Sequence, residues 1–338
     1  MINRMRRILQ FMKRENLHHL LLVVLILIFI GTLGIAIFEP QMKWIDAVWW
    51  SFVTLTTVGY GDISPATLGG RVVAILIMIM GIGILGLFTA TIASIFVEKK
   101  MKEDRGMRSY EFENHIIVCE WNHRARNVIH ELRLDHRMVT APIVLIAEIK
   151  SKPIEDENLF FIQGSVTEEN LQRANLEKAK TVVILGDDRL ESNARDAKAV
   201  LTTLTIETIN SDAYTIVELV NEANVQHCER ANANEIIVGN EFSSKLISRA
   251  TLDHGISKVL SELLSSRFGN DLFKIPLPES MQGKNFMELF TEMKRINHYI
   301  ILAVQRGNQG EVICNPPGDY QVEAGDYLIL ISKEKPQS

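Results

Sequence analysis

Thr57-Val58-Gly59-Tyr60-Gly61-Asp62 lies between two long apolar runs, and the rest of the chain takes its meaning from this hexapeptide. It reads as a potassium selectivity filter. Successive carbonyl oxygens, together with the Thr57 hydroxyl, would point inward from four chains and replace the water shell of a potassium ion. Gly59 and Gly61 provide backbone conformations that strain any residue with a Cβ. Cavity size and carbonyl field strength are rival accounts of how such a filter selects, and either requires a tetramer. The competing reading, a glycine turn in a soluble strand pair, has to survive the flanking sequence.

It does not survive. Leu20–Phe38 and Val72–Val97 contain no charged residue, and at about 1.5 Å per residue each can cross roughly 30 Å of hydrocarbon. Between them, Trp44–Thr56 is too short to cross and rich in aromatic and apolar side chains. That suits a re-entrant helix, which is tolerated at membrane depth where protein covers it or it lines a wet cavity. Arg4, Arg6, Arg7, Lys13 and Arg14 precede the first run, while Lys99, Lys100, Lys102 and Arg105 follow the second, so both termini are expected in the cytoplasm. The first run ends in Phe38-Glu39-Pro40 without a small-residue cleavage pattern, and is expected to be retained as a span. Gly81, Gly83 and Gly86 interrupt the second run, where glycine serves either bending or close packing. Thr89, Ala93 and Val97 recur at intervals of four, as do Ile92 and Phe96, so one of these stripes is expected at the inner mouth of the pore. A charged connection, Glu98–Met107, follows within a linker expected over residues 98–113.

The remainder is long enough for one or two compact domains. Short apolar runs at His115–Cys119, Ile143–Ala147, Leu159–Ile162, Thr181–Leu185, Tyr214–Leu219 and Glu235–Val238 alternate with amphipathic stretches. That alternation predicts a doubly wound parallel sheet over residues 114–240. A helical stretch, Phe242–Leu264, falls in a crossover region over 241–268. Residues 269–338 then change texture, with strands at Phe273–Leu277, Tyr299–Gln305, Glu311–Ile313 and Asp326–Ser332 and turns at Pro316, Pro317, Gly318 and Gly325. Cys119, Cys228 and Cys314 are odd in number and far apart, as expected of reduced, structural thiols. Nothing in the pattern of Ser, His, Asp and Glu suggests a catalytic constellation, and no basic aromatic stretch suggests nucleic acid.

A nucleotide crevice is less plainly written than the filter. The turn after the first strand reads Cys119-Glu120-Trp121-Asn122-His123-Arg124-Ala125-Arg126, without the glycines that let a backbone approach pyrophosphate. Glu120 would repel a phosphate. Against that, Asn122 can cap the following helix, and His123, Arg124 and Arg126 could donate charge-assisted hydrogen bonds. Glu148 ends the second strand where an acid would bind the adenosine ribose hydroxyls. Gly164 and Ser165 follow the third strand, and Asp187, Asp188 and Asn193 follow the fourth. NAD and ADP are both candidate ligands.

Trp49, Trp50, Ser51, Thr54, Thr56 and Thr57, running directly into Val58-Gly59-Tyr60-Gly61, resemble the pore of the two-helix potassium channels. The later pattern, with Pro316-Pro317-Gly318-Asp319-Tyr320 and Ala324-Gly325-Asp326, resembles the RCK domain that regulates potassium conductance. Together these residues, spread over the chain after Leu20, resemble the prokaryotic RCK-gated two-transmembrane potassium channel family. The fold this implies is an α-helical two-span tetrameric pore with a re-entrant pore helix and filter, followed by a cytoplasmic α/β Rossmann-like RCK domain with a small α+β C-terminal lobe. The resemblance further implies a homotetramer in a prokaryotic inner membrane, potassium ions in the filter, and a gating hinge at Gly81 or Gly83. It places the Phe242–Ser261 region against another subunit. It also implies a ring of eight RCK domains, four of them soluble copies that an internal start at Met107 would supply.

Calcium is the second candidate ligand, since Glu218 matches a calcium-binding glutamate of calcium-gated family members. Their second glutamate is Val220 here, so Asp187, Asp188, Glu191 and Glu222 are the acids that could complete another site. In addition, Val53 stands where some members place a buried glutamate behind the filter, so filter stability and inactivation are expected to differ. Two alternatives share the sheet: a potassium channel gated by another signal with a vestigial crevice, and a membrane-anchored NAD oxidoreductase. The second leaves Thr57–Asp62 unexplained.

Overall fold

The computed structural model describes residues 17–265, 269–308 and 310–336. Two units emerge, Met1–Glu103 and Asp104–Ser338. The cations expected to set orientation before the first span, Arg4, Arg6, Arg7, Lys13 and Arg14, lie outside the described residues.

In the first unit, α1 (Leu17–Phe38), α2 (Trp44–Leu55) and α3 (Leu68–Asp104) follow the expected order of span, re-entrant helix and span. Both α1 and α3 are long and apolar enough to cross a membrane. Small residues set how closely they pack: a Cβ on Gly31 of α1 would stand 3.1 Å from the Ser51 Oγ of α2. Ile35, Ala47, Trp50 and Ala74 bury one cluster among the three helices, and Leu27, Leu55 and Ile77 bury a second. At the start of α3 the Thr67 hydroxyl accepts from the Gly70 amide at 3.0 Å, while Glu39 accepts from the Thr67 amide at 2.7 Å. One carboxylate thus ties the end of α1 to the start of α3.

One sequence expectation needs correcting here. At 37 residues, α3 is about 55 Å long, well beyond the hydrocarbon thickness, and it runs through Glu98–Asp104, expected to be part of a linker. Gly81 serves packing, whatever its part in bending: a Cβ there would stand 2.8 Å from the Leu55 carbonyl oxygen and 3.2 Å from the Leu55 Cα, whereas Gly83 and Gly86 would meet nothing within 4 Å.

In the second unit, six parallel strands, β1 (Ile116–Cys119), β2 (Ile143–Ala147), β3 (Leu159–Gln163), β4 (Thr181–Ile184), β5 (Tyr214–Leu219) and β6 (Glu235–Val238), lie in the order β3-β2-β1-β4-β5-β6. Every residue of β1 and β2 is buried, as continuous apolar runs require when helices cover both faces of a sheet. The helices are α4 (His123–Leu134), α5 (Glu168–Arg173), α6 (Ser192–Ile209) and α7 (Val225–Arg230). The helical stretch that follows consists of two helices, α8 (Gly239–Leu252) and α9 (Ile256–Leu263), with Gly255 at φ 101° between them. A second, antiparallel sheet pairs β7 (Asp271–Pro276), β10 (Tyr327–Ser332), β8 (Ile300–Gln305) and β9 (Val312–Cys314) in that order. It packs on α10 (Phe286–Asn297), whose start carries a capping box between Asn285 and Glu288.

The Gly81 contact gives a direct prediction. Gly81→Val should lower the thermal stability of the purified channel by the roughly 1–3 kcal/mol of an overpacked core, while Gly83→Val, with open space around it, should leave stability within about 0.5 kcal/mol. Thermal denaturation of the two variants side by side checks this, and equal losses would contradict the packing assignment.

Candidate functional site

Thr57, Gly59 and Gly61 have φ of 60°, 56° and 75°, while Val58 and Tyr60 between them do not take positive φ. A backbone that alternates hand residue by residue turns successive carbonyls toward one side, unlike a strand. Glycine adopts the left-handed region freely, and Thr57 must be held there. The holding groups are the carbonyls at the end of α2. Thr57 N donates to Thr54 O at 3.1 Å, while Val58 N and Gly59 N both donate to Val53 O at 3.1 and 3.4 Å. With the amides of Thr57, Val58 and Gly59 drawn back onto the pore helix, the carbonyls of Thr57–Gly61 accept no hydrogen bond from the described residues. They are left to bind something else. Beyond Gly61, Trp49 Nε1 donates to Asp62 Oδ2 at 2.9 Å, and the Trp49 and Tyr60 rings stack with centroids 5.9 Å apart and planes 6° from parallel.

In the second unit a crevice forms where strand order reverses, between β1 and β4, at the carboxyl ends of the strands. Asn122 caps α4, accepting from Ala125 N at 2.9 Å, and its Nδ2 donates across the crevice to Gly186 O at 2.7 Å. Arg124 Nη2 meets Asp188 Oδ1, and its Nε meets Glu218 Oε1, each at 2.5 Å. Glu218 also accepts from Gly186 N at 3.1 Å, and Arg195 stands 3.2 Å from Asp188. A second cluster adjoins the first. Arg189 grips Asp187 with two bonds of 2.8 Å and reaches Glu148 Oε2 at 2.9 Å, while Lys198 sits 2.6 Å from Glu120 and 2.8 Å from Asp187.

These pairs explain the ionisation of the acids. Burial pushes Glu120 up, against the pull of Lys198. The Arg189 guanidinium, helped by Lys198, holds Asp187 far below the carboxylate range. The Ser165 hydroxyl, which donates to Glu148, and then Arg189 hold Glu148 below its ordinary value. So filled, the crevice retains a cavity of about 10 Å³ beside Glu120, Asp187 and Lys198, enough for roughly one water molecule.

Three family models match in succession: residues 21–98 fit one described as an ion channel, 111–217 one described as the calcium-activated potassium channel slowpoke-like RCK domain, and 240–338 one described as Castor and Pollux, part of voltage-gated ion channel. The calcium-gated potassium channel TvoK of Thermoplasma volcanium is 32% identical over 97% of this chain and 95% of its own. The chain belongs to the RCK-domain potassium channels. YugO of Bacillus subtilis, which also carries a potassium channel name, is 34% identical over 91% of this chain and 94% of its own length. The human SLO3 gating ring superposes with a TM-score of 0.52 at 20% identity, covering 65% of this chain and 44% of that one, a likeness of fold.

Within the channel, the structure gathers some of the expected residues and scatters others. Glu120, Asn122, Arg124, Asp187 and Asp188 line the crevice together, with Glu148 and Ser165 at its β2–β3 side. Gly164 turns the chain there at φ 135°, where a Cβ would stand 2.6 Å from the Asn170 amide nitrogen. Arg126 is exposed and lies over the Trp121 ring at 5.8 Å, away from the phosphate role expected of it, and Asn193 is exposed. The metal set Asp188, Glu218 and Glu222 does not converge. Arg124 bridges the first two, Glu222 lines a separate groove with Glu229, Glu241 and Lys245, and among the described residues no group of three His, Cys, Asp or Glu could hold a metal ion. As arranged, these residues do not fit calcium. Sequence reasoning missed Arg189, Arg195 and Lys198, the cations that fill the crevice. The available signal was Arg195 and Lys198 three apart on one face of α6. Cys119 is buried and its thiol pushed up by that burial, consistent with a packing role.

Two outcomes follow from the charge cluster. Lys198→Met, which strands buried Glu120, should destabilise the RCK domain by about 3 kcal/mol, and adding Glu120→Gln should recover much of the loss. Asp187 and Glu148 have folded values below their ordinary values near 4, so their ion pairs stabilise fully above about pH 5 and lose that contribution as pH falls below about 4. Thermal melts of wild type and Asp187→Asn should draw closer as pH falls from 7 to 3 without meeting, because folded Asp187 keeps its charge far below the carboxylate range.

Proposed function

We propose that four copies of this chain assemble around Thr57–Gly61 into a potassium-selective pore, with both termini cytoplasmic, and that an adenine nucleotide, NAD or ADP, sets its opening from the RCK crevice. The observation that carries the ligand reading is Glu148. It stands at the carboxyl end of β2 beside the point where strand order reverses, and it already binds two donors, the Ser165 hydroxyl and the Arg189 guanidinium. Two ribose hydroxyls are donors of the same kind. A nucleotide entering the crevice takes Glu148 from Arg189, whose guanidinium is 53% exposed and free to turn toward phosphate. Glu120 keeps pyrophosphate from the usual close approach, so cationic side chains rather than glycine amides carry the phosphate contacts.

Magnitudes permit this switch. Moving a channel from 1:99 to 99:1 open needs about 10⁴-fold tighter binding to the open form. Shared among four crevices, that is about tenfold each, or about 1.4 kcal/mol. One hydrogen bond to a charged group contributes about 1.5–3 kcal/mol, so exchanging the Arg189–Glu148 pair for a ligand is sufficient.

Calorimetric titration of the detergent-solubilised full-length channel with NAD, ADP and calcium, each alone, tests the ligand. Wild type should bind a nucleotide, and Glu148→Ala should weaken that binding at least about tenfold, the value of a charged hydrogen bond. Absence of nucleotide binding, or affinity unchanged in Glu148→Ala, would contradict the reading. Calcium binding that is lost in Glu218→Gln would replace it with the gating mode named for the Thermoplasma relative.

A further inference from the structure

The segment between the inner pore helix and the RCK sheet has the composition of a tether, yet its backbone is stitched down residue by residue. Helix α3 ends at Asp104, and the Asp104 carbonyl already accepts from Lys152 N at 2.7 Å. Only Arg105 separates it from the next fixed point. The Gly106 carbonyl accepts from Gln163 N at 3.1 Å and from Arg173 Nη2 at 2.7 Å, and the same Nη2 reaches Arg108 O at 3.1 Å. Arg173 is itself oriented, since its Nη1 donates to Asn170 Oδ1 at 2.8 Å. Its backbone joins in as well: Tyr110 N donates to Arg173 O at 2.8 Å. Further along, Asn175 Nδ2 donates to Phe112 O, and Asn114 N donates to Lys178 O, both at 2.8 Å.

Side chains and backbone geometry agree with the hydrogen bonds. Tyr110 is buried, its hydroxyl donates to Phe161 O at 3.3 Å, and its ring stacks on Phe112, which packs 4.4 Å from Phe160. Gly106 is buried at φ 66°, and a Cβ there would collide with Gln163 N and stand 2.9 Å from Ile162 C and Phe161 Cδ1. No other residue type fits that position.

We propose that Gly106–Asn114 is a fixed strap, clamped to the β3 edge by Arg173, and that this clamp couples the RCK domain to the pore helix without slack. A free ten-residue tether has a root-mean-square span of about 17 Å and would absorb a displacement of a few ångströms at its end. A strap whose first anchor is the last residue of α3 passes that displacement on. Arg173 is therefore a positioning residue: it touches neither ion nor ligand, and acts through the carbonyls of Gly106 and Arg108. The coupling role rests on the reading that ligand binding in the RCK crevice sets the pore.

The test compares full-length wild type, Arg173→Ala, Arg173→Lys and Gly106→Ala by three readouts: amide hydrogen exchange over residues 104–114, calorimetric affinity for NAD and ADP, and single-channel open probability with and without each ligand. A coupling of ordinary size changes open probability roughly 5–150-fold on ligand binding. Each variant should show faster exchange in the strap and affinity within about twofold of wild type, with the ligand-induced change in open probability reduced to about twofold or less. Arg173→Lys should not rescue, because an ammonium lacks the planar fork that joins Asn170 to both carbonyls. Arg173→Lys, which keeps the aliphatic stem and the charge, keeps the test open should Arg173→Ala or Gly106→Ala fail to fold. Exchange unchanged in Arg173→Ala, or full coupling despite a released strap, would overturn the proposal. Should wild type respond to neither nucleotide, the ligand reading fails by itself. The strap is then read from basal open probability, which release should shift at least about fivefold and which would overturn the proposal by staying constant.

Discussion

A potassium ion leaves water only for a ring of oxygens that replaces its hydration shell, and a single chain can present only one side of such a ring. That constraint sets the local structure of the first unit. The carbonyls of Thr57–Gly61 must be withdrawn from every internal partner, so the amides of Thr57, Val58 and Gly59 fold back onto Thr54 and Val53 at the end of the pore helix. The helix must then be held in place, which Gly81 allows by admitting the Leu55 backbone, and which Trp49 reinforces through Asp62 and Tyr60. The exposed faces of Val58 and Tyr60, at 53% and 68% in one chain, fit the proposed filter, which four chains would complete.

The second unit concentrates its charge in one crevice. Five acids, Glu120, Glu148, Asp187, Asp188 and Glu218, are balanced by Arg124, Arg189, Arg195 and Lys198 within one crevice. Breaking one partner of a buried pair is costly, whereas exchanging partners is not. A crevice filled by its own ion pairs is thus stable without a ligand, and in the proposed function Arg189 is the partner a ligand would replace. A ligand moves the pore only by its differential affinity for open and closed forms, and that difference reaches the pore only through a stiff connection. The strap held by Arg173 supplies one.

Where chemistry dictates residue type, the sequence was readable. The filter could be recognised because only glycine takes the left-handed positions freely, and β1 and β2 because four- and five-residue apolar runs must be covered on both faces; β2, β5 and β6 have the predicted bounds. The charged stretch after Val97 was less transparent. It looked like a linker, yet Glu98 and Lys102 pair at 2.6 Å one helical turn apart and its residues are good helix formers. Arg189 and Lys198 had the appearance of solvated surface, because nothing in a charge's spacing shows that its side chain turns back into a crevice. Arg126 was expected at the phosphates on its position near the helix start, and instead lies on Trp121. Arg173 carries no sequence signature at all, since its partners are backbone carbonyls up to 67 residues away.

Single-channel current through the purified protein in a planar bilayer, recorded under opposed potassium and sodium gradients with nucleotide added to one side, tests the account most directly. The account predicts a reversal potential close to that of potassium and an open probability that changes when nucleotide is added to the RCK side alone. A pore that does not discriminate potassium from sodium, or potassium current indifferent to nucleotide on either side, would contradict it.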